Sequence, residues 1–193
     1  MPRLFAGLEL PPEVTDALAR LKQPLPGARW VDPADFHITL RFFGDVEGRT
    51  ATDLIEHLAA IDRPIFEVLV KGLGIFGSKE PTSIWAGVEA SDHLINLQTA
   101  TERAARLSGL KAETRNFRPH ITLARLRKPR DEALARFLNH HGGFAAEPFF
   151  PARFVLYSAK PHVGGGPYVV DQVFPLQGGD WDDDDLAEWA EDA

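Results

Sequence analysis

The tetrapeptide His-Ile-Thr-Leu stands twice in this chain of 193 residues, at 37–40 and again at 120–123. Histidine is one of the rarer residues, and verbatim recurrence of a tetrapeptide containing it points to an internal duplication with two equivalent strands. Each copy follows an aromatic residue by a short step, Phe36 or Phe117, and each is followed by an arginine, Arg41 or Arg125. The surrounding runs, FHITLRFFG at 36–44 and FRPHITLAR at 117–125, are rich in β-branched and aromatic residues and read as strands with the motifs inside them. Side chains two apart on a strand share a face. His37 and Thr39 therefore point one way while Ile38 and Leu40 point to the core, and His120 and Thr122 separate from Ile121 and Leu123 in the same manner. If the two halves pack about a pseudo-twofold axis, the two His-Thr faces confront each other across a cleft.

The remaining pattern alternates strands with helices. RLFAGLEL (3–10) reads as a strand stopped by Pro11-Pro12, and Val14, Leu18 and Leu21 recur at helical spacing before the breaker PLPG. Leu54, Ile55, Leu58 and Ile61 predict a helix ending before Pro64. Phe66, Val68 and Val70 alternate as a strand, and SIWAGVEA (83–90) predicts another. A third helix carries Leu94, Leu97, Ala100, Ala104 and Leu107, closed by Gly109, and a short fourth spans 131–139. ARFVLYSAK (152–160) and YVVDQVFPL (168–176) predict a hairpin joined by HVGGGP. Strand–helix–strand units mixed with hairpins indicate an α+β fold with largely antiparallel sheets. GLGIFG at 72–77 has the look of a glycine-rich phosphate loop but lacks its spacing and its following helix.

Charge divides the chain unevenly. The net charge is −7, yet residues 178–193 hold eight acids and no Lys or Arg, and setting them aside leaves +1 for residues 1–177. The expected organisation is one bilobal domain over 1–177 followed by an acidic, solvated, disordered tail. A near-neutral body admits a polyanionic ligand but lacks the basic stripe of a long nucleic-acid footprint. Zero cysteines exclude disulfides, thiolate metal sites and cysteine nucleophiles. No apolar run approaches the roughly 20 residues of a membrane span. The early Pro11, Pro12 and Glu13 interrupt any signal-peptide apolar region, so a cytoplasmic, monomeric protein is expected.

Two imidazoles and two hydroxyls around one small site suit phosphodiester hydrolysis. In-line displacement at phosphorus needs a base behind the attacking water and an acid behind the leaving oxygen. Histidine titrates near neutrality, so one ring can be neutral while the other is protonated. Thr39 and Thr122 can donate to the equatorial phosphate oxygens, and Arg125, five residues beyond His120, remains at the active-site end of its strand. The histidines lack the clustered carboxylates or cysteines of a metal site, so neither metal nor cofactor is expected.

In these features the chain resembles the two-histidine (2H) phosphoesterases, and within them the bacterial and archaeal RNA 2′,3′-cyclic phosphodiesterases historically called 2′–5′ RNA ligases. The resemblance spans residues 2–176: the opening RLFAGLELP, FHITLRFFGDV, GLGIFG followed by IWAGV, RPHITLAR, and Tyr168 before VFPL. It implies a bilobal pseudo-twofold duplication with antiparallel sheets lining a central cleft and helices outside. It also implies hydrolysis of a terminal 2′,3′-cyclic phosphate to a 2′-phosphate at RNA 3′ ends or on small nucleotides. By that likeness His37 is the proton donor to the leaving 3′ oxygen and His120 the proton acceptor from water. Thr39, Thr122 and Arg125 hold the phosphate, and Phe42 stacks on the terminal base. The acidic tail is not part of the family pattern.

Other outcomes fit the same residues. The substrate could be a 2′–5′ oligonucleotide or the cyclic phosphate formed from ADP-ribose, and 2′–5′ ligation is the same step in reverse. A non-catalytic RNA-end or nucleotide-binding module is the alternative of a different class, opposed by the intact histidines and threonines. Phe42 falls on Leu40's face of a regular strand, so a core role competes with stacking unless a bulge turns it. Arg41 is assigned to the core side or its rim. His57 and His93 are expected at the surface, His140 and His141 just beyond a helix, and His162 away from the ligand. Trp30 and Trp85 are expected near the core or cleft, Trp181 and Trp189 in the tail.

Overall fold

The computed structural model describes residues 3–46, 48–77, 79–159 and 166–177. In chain order they form β1 (Arg3–Leu8), α1 (Pro12–Ala19), β2 (Ala28–Trp30), a 3₁₀ turn (Pro33–Asp35), β3 (Ile38–Asp45), α2 (Gly48–Ala59), β4 (Val70–Phe76) and β5 (Ser83–Val88). Then follow α3 (Asp92–Leu107), β6 (His120–Leu126), α4 (Asp131–His141), β7 (Arg153–Ala159) and β8 (Tyr168–Pro175). Helix α3 has a punctuation visible in the residues themselves. The Ser91 side chain accepts from Leu94 N at its start, and Gly109 adopts a positive φ just past its end.

The strands make two four-stranded antiparallel sheets, ordered β3-β1-β7-β8 and β2-β6-β5-β4. The expected α+β architecture with antiparallel sheets is therefore present. Its connectivity has a consequence for the duplication. The first half runs β1, β2, β3 and β4, yet β2 and β4 pair with β6 and β5 in the other sheet. The second half runs β5, β6 and then β7, yet β7 pairs with β1. Each half thus completes the other's sheet, and the core between them is continuous: Ala6, Leu8, Ile38, Ile84, Ile121, Leu123 and Phe154 are all fully or almost fully buried in one cluster.

Several boundaries differ from expectation. The predicted strand around Phe66 and Val68 makes only an isolated bridge, Val68 with Phe149, and the strand proper starts at Val70 and includes GLGIF. Two glycines that lower strand propensity are accepted there, Gly74 because the Trp85 ring needs its space and Gly72 because its φ is positive. The motifs lie at strand starts rather than inside strands: His120 is the first residue of β6, and His37 immediately precedes β3. Pro119, which has no N–H for a ladder, and the 3₁₀ turn at Pro33–Asp35 set these two limits. Helix α4 extends through His140 and His141, which therefore end it rather than follow it. His162 and the tail 178–193, with Trp181 and Trp189, lie outside the described residues. Among the described residues no helix is long and apolar enough to cross a membrane.

Candidate active site

Strands β3 and β6 approach each other at the edge where the two sheets meet, and a cleft of about 990 Å³ opens between them. His37, Thr39, Phe42, His120, Thr122 and Arg125 all line it. All six residues singled out from the sequence are thus brought to one wall-to-wall site.

Register explains why Phe42 and Arg125 belong to that group. Along β1 and β3, Gly7 is opposite Thr39, Ala6 is opposite Arg41, and Phe5 is opposite Phe42, which leaves Leu40 as an extra residue. Along β5 and β6, Trp85 is opposite Thr122 and Ile84 is opposite Ala124, which leaves Leu123 extra. Each motif therefore carries a β-bulge at its leucine. A bulge resets the alternation, so two successive residues turn inward: Leu40 with Arg41, and Leu123 with Ala124, all buried. The next residue turns to the cleft, and this is Phe42 (46% exposed) in one strand and Arg125 in the other. The echo between Arg41 and Arg125 in the sequence is not a structural equivalence. Arg125 corresponds to Phe42, and Arg41 to Ala124. Arg41 is buried as expected; it pairs with Glu102, donates to the carbonyls of Phe42 and Lys111, and so fastens β3 to the segment leading into His120.

The two imidazoles are held by the same local device. His37 Nδ1 lies 2.8 Å from the carbonyl of Asp35, and His120 Nδ1 lies 2.6 Å from the carbonyl of Arg118, in each case two residues upstream. A carbonyl only accepts, so Nδ1 carries the proton and Nε2 of the neutral ring presents its lone pair. At His37 that lone pair faces the Thr39 hydroxyl, Nε2 to Oγ1 3.1 Å.

The surroundings of the two rings differ. His37 is packed by Phe5, Tyr157 and Tyr168, with ring centroids 4.9, 5.5 and 5.0 Å away. Burial lowers its pKa below the ordinary 6.5; the carbonyl and charge of Asp35 oppose this, while the positive charges of His120 and Arg125 add to it. His120 meets Phe76 edge-on at 4.8 Å and Trp85 at 6.3 Å, and is more open to solvent. Burial lowers its pKa too, opposed by the Arg118 carbonyl and reinforced by Arg125. Arg125 lines the same cleft, and its charge acts on both rings. Tyr168 and Tyr157 hold their protons more tightly than a free phenol, chiefly through burial.

Asp35 is a site residue that pattern reading missed. Its backbone carbonyl fixes His37, while its carboxylate Oδ1 accepts from Tyr168 N at 3.1 Å, drawing the β8 end over the His37 ring. A Cβ at Gly166 would overlap that carboxylate, so the close approach needs glycine. Phe5, Phe76 and Tyr157 were also missed, because a strand aromatic is ordinarily core and nothing in periodicity marks one that borders an imidazole. Trp30 and Trp85 are where expected: Trp30 lines the cleft and packs on Phe137, and Trp85 backs His120. Among the other histidines, His93 is exposed as expected. His57 is not a surface residue; it is half-buried, its Nδ1 2.9 Å from the Ser108 hydroxyl, because α2 packs that face against α3. Among the described residues, no group of three His, Asp or Glu side chains is arranged to hold a metal ion.

Known proteins share both sequence and shape with this chain. The family model described as LigT like Phosphoesterase matches residues 8–85 and 87–168, one segment for each motif. An RNA 2′,3′-cyclic phosphodiesterase of Aeropyrum pernix is 34% identical over 130 residues, covering 66% of this chain and 72% of the relative. One of Aquifex aeolicus is 31% identical over 150 residues, covering 70% and 78%. In fold, a crystal structure of E. coli LigT complexed with 3′-AMP superposes with a TM-score of 0.74 at 24% identity, over 92% of this chain and 100% of that one. With both motif-bearing segments matched by the model and more than two thirds of these relatives spanned, the chain belongs to the LigT-like phosphoesterase family.

Proposed function

We propose that the protein is an RNA 2′,3′-cyclic phosphodiesterase that hydrolyses a terminal 2′,3′-cyclic phosphate to a 2′-phosphate, with residues 1–177 acting as one catalytic unit. The observation that carries the proposal is the pair of imidazoles, each locked by a carbonyl so that Nε2 faces one cleft beside Arg125. Relatives bearing that name and covered over more than two thirds of their length support the substrate class.

In the proposed reaction His120 Nε2 removes a proton from water as its oxygen attacks phosphorus. The P–O3′ bond breaks, and the 3′ oxygen takes a proton from His37 Nε2, leaving a 3′-hydroxyl and a 2′-phosphate. A bound phosphate anion raises the proton affinity of both rings, and most at His37, where low local dielectric strengthens the attraction. This suits His37 to be the acid and the more open His120 to be the base. Thr39 and Thr122 donate to the equatorial oxygens and Arg125 neutralises them. Phe42, exposed at the cleft and packed on Phe5 at 5.3 Å, offers its ring to the terminal base. No step calls for a metal. With a 5′-hydroxyl in place of water as the attacking group, the same step breaks the P–O3′ bond and forms a 2′–5′ linkage, a reaction with which abundant water competes. The cysteine-free composition fits action in a reducing compartment such as the cytoplasm.

The test is hydrolysis of a short RNA ending in a 2′,3′-cyclic phosphate, in excess EDTA, with products resolved as 2′- or 3′-phosphates. Turnover to the 2′-phosphate that is lost in both His37→Ala and His120→Ala is expected. Turnover indifferent to the two histidines, or blocked by EDTA, would overturn the mechanism. No turnover with undiminished binding of the RNA would favour a binding module.

A further inference from the structure

Strand β2 escaped the sequence patterns, and it brings Arg29 to a cleft that Arg41, Arg115, Arg118 and Arg125 also line. Arg29 stands directly opposite Arg125 in the β2–β6 ladder, and both line the cleft. Directly opposed residues have Cβ atoms only about 5 Å apart, and like charges so placed repel. Among the described residues neither guanidinium has a carboxylate within ion-pair distance. The cleft carboxylates have other partners: Asp32 accepts from Ala34 N, Asp35 from Tyr168 N and Glu113 from the Arg115 guanidinium. A pair of uncompensated guanidiniums on a cleft wall is the arrangement an anion between or along them would stabilise.

The two arginines are not equivalent in position. Arg125 acts electrostatically on both imidazoles, and Arg29 stands on the neighbouring edge strand. Arg29 lies one strand further from the reaction centre, a step of about 4.8 Å. The sequence of groups across the wall is therefore imidazoles and threonines, then Arg125, then Arg29.

We infer that Arg29 forms a second phosphate subsite, which takes the internal phosphodiester on the 5′ side of the terminal nucleotide while Arg125 serves the reacting phosphate. The inference rests on the proposed function and sharpens it, since it makes an oligonucleotide end the substrate rather than a mononucleoside cyclic phosphate. Two adjacent phosphates also suit the charge of +1 over residues 1–177, which offers a short anion row and no extended track.

The experiment compares wild type, Arg29→Gln and Arg29→Lys on two substrates: a nucleoside 2′,3′-cyclic monophosphate with a free 5′-hydroxyl, and a dinucleotide with one internal phosphodiester and the same cyclic end. Calorimetric binding of the matching dinucleotide 2′-phosphate accompanies the kinetics. For Arg29→Gln, kcat/KM and affinity on the dinucleotide should fall about tenfold or more. The mononucleoside should change less than twofold, Arg29→Lys should recover part of the loss, and the salt dependence of dinucleotide binding should flatten. Equal losses on both substrates would place Arg29 on the reacting phosphate and overturn the subsite, as would no loss on either. If wild type turns over neither substrate yet Arg29→Gln still weakens the dinucleotide selectively, the subsite stands and the hydrolytic reading falls.

Discussion

The two sides of the cleft use one sequence to build two different imidazole environments. On both, a carbonyl two residues upstream accepts a hydrogen bond from Nδ1–H, and a bulge at the leucine of the motif turns a later side chain into the cleft. Beyond that they diverge. His37 is closed in by three aromatic rings and hydrogen-bonded to Thr39, whereas His120 touches Phe76 at its edge and faces solvent. Phe42 occupies on one strand the place that Arg125 occupies on the other. Duplication thus supplies the geometry twice, and divergence of what surrounds it gives two chemically identical groups different packing and solvent access, with burial lowering the pKa of both.

The strongest way to break the comparison is to remove each ring and vary the leaving group. On the natural cyclic phosphate, His37→Ala and His120→Ala should each lower kcat about 10²–10⁴-fold. With sulfur replacing the 3′ bridging oxygen, departure no longer depends on protonation, so the His37→Ala defect should shrink sharply while the His120→Ala defect persists. The reverse pattern would exchange the two roles.

A second expected effect lies in pH. Both free-enzyme pKa values are below the ordinary 6.5, chiefly through burial. The competent form has one ring protonated and one neutral, so kcat/KM should follow a bell centred below pH 6.5. It falls as pH rises because the acid loses its proton. The bound phosphate raises the acid's pKa, so the basic limb of kcat should lie at higher pH than that of kcat/KM. Asp35→Asn, which keeps an oxygen for Tyr168 N but removes a charge that raises the His37 pKa, should move the basic limb of kcat/KM down. Asp35→Ala should in addition cost about 1–2 kcal/mol of stability, read from denaturant midpoints, through the unsatisfied Tyr168 N–H.

Much of this was legible in the sequence because strand and helix period report which residues are buried. The repeated motif located both histidines and both threonines, and alternation sent Ile38 and Ile121 to the core. What alternation cannot report is register, since a bulge depends on the partner strand. On a regular strand Phe42 belongs with Leu40 and the core, and the bulge at Leu40 is what reverses it. Because the bulge falls at the same step of both motifs, Arg41 matches Ala124 and Phe42 matches Arg125. Strand β2, at three residues, is too short for any period to show, and with it went Arg29. The exchange of β4 and β7 between the sheets is a long-range pairing that no local pattern encodes.

The smallest expected effect concerns the aromatic support on the open side. Trp85 backs His120, and its indole lies against Gly74 of β4, where a Cβ would overlap the ring. Gly74 is thus the counterpart of Asp35: each fixes the aromatic group that borders one of the two motif imidazoles, one by leaving space and one by a hydrogen bond. Gly74→Ala should displace the indole, costing about 1–3 kcal/mol of stability as overpacking and several-fold in kcat/KM. Trp85→Phe alone should be milder, because the smaller ring still packs and the buried indole Nε1, which has no hydrogen-bond partner among the described residues, is removed. The informative quantity is the coupling. If the damage from Gly74→Ala passes through the indole, the double variant should be more stable and more active than Gly74→Ala, with a coupling energy of about 1 kcal/mol or more. Additive losses would mean that β4 itself is distorted, and that His120 depends on its strand rather than on the ring behind it.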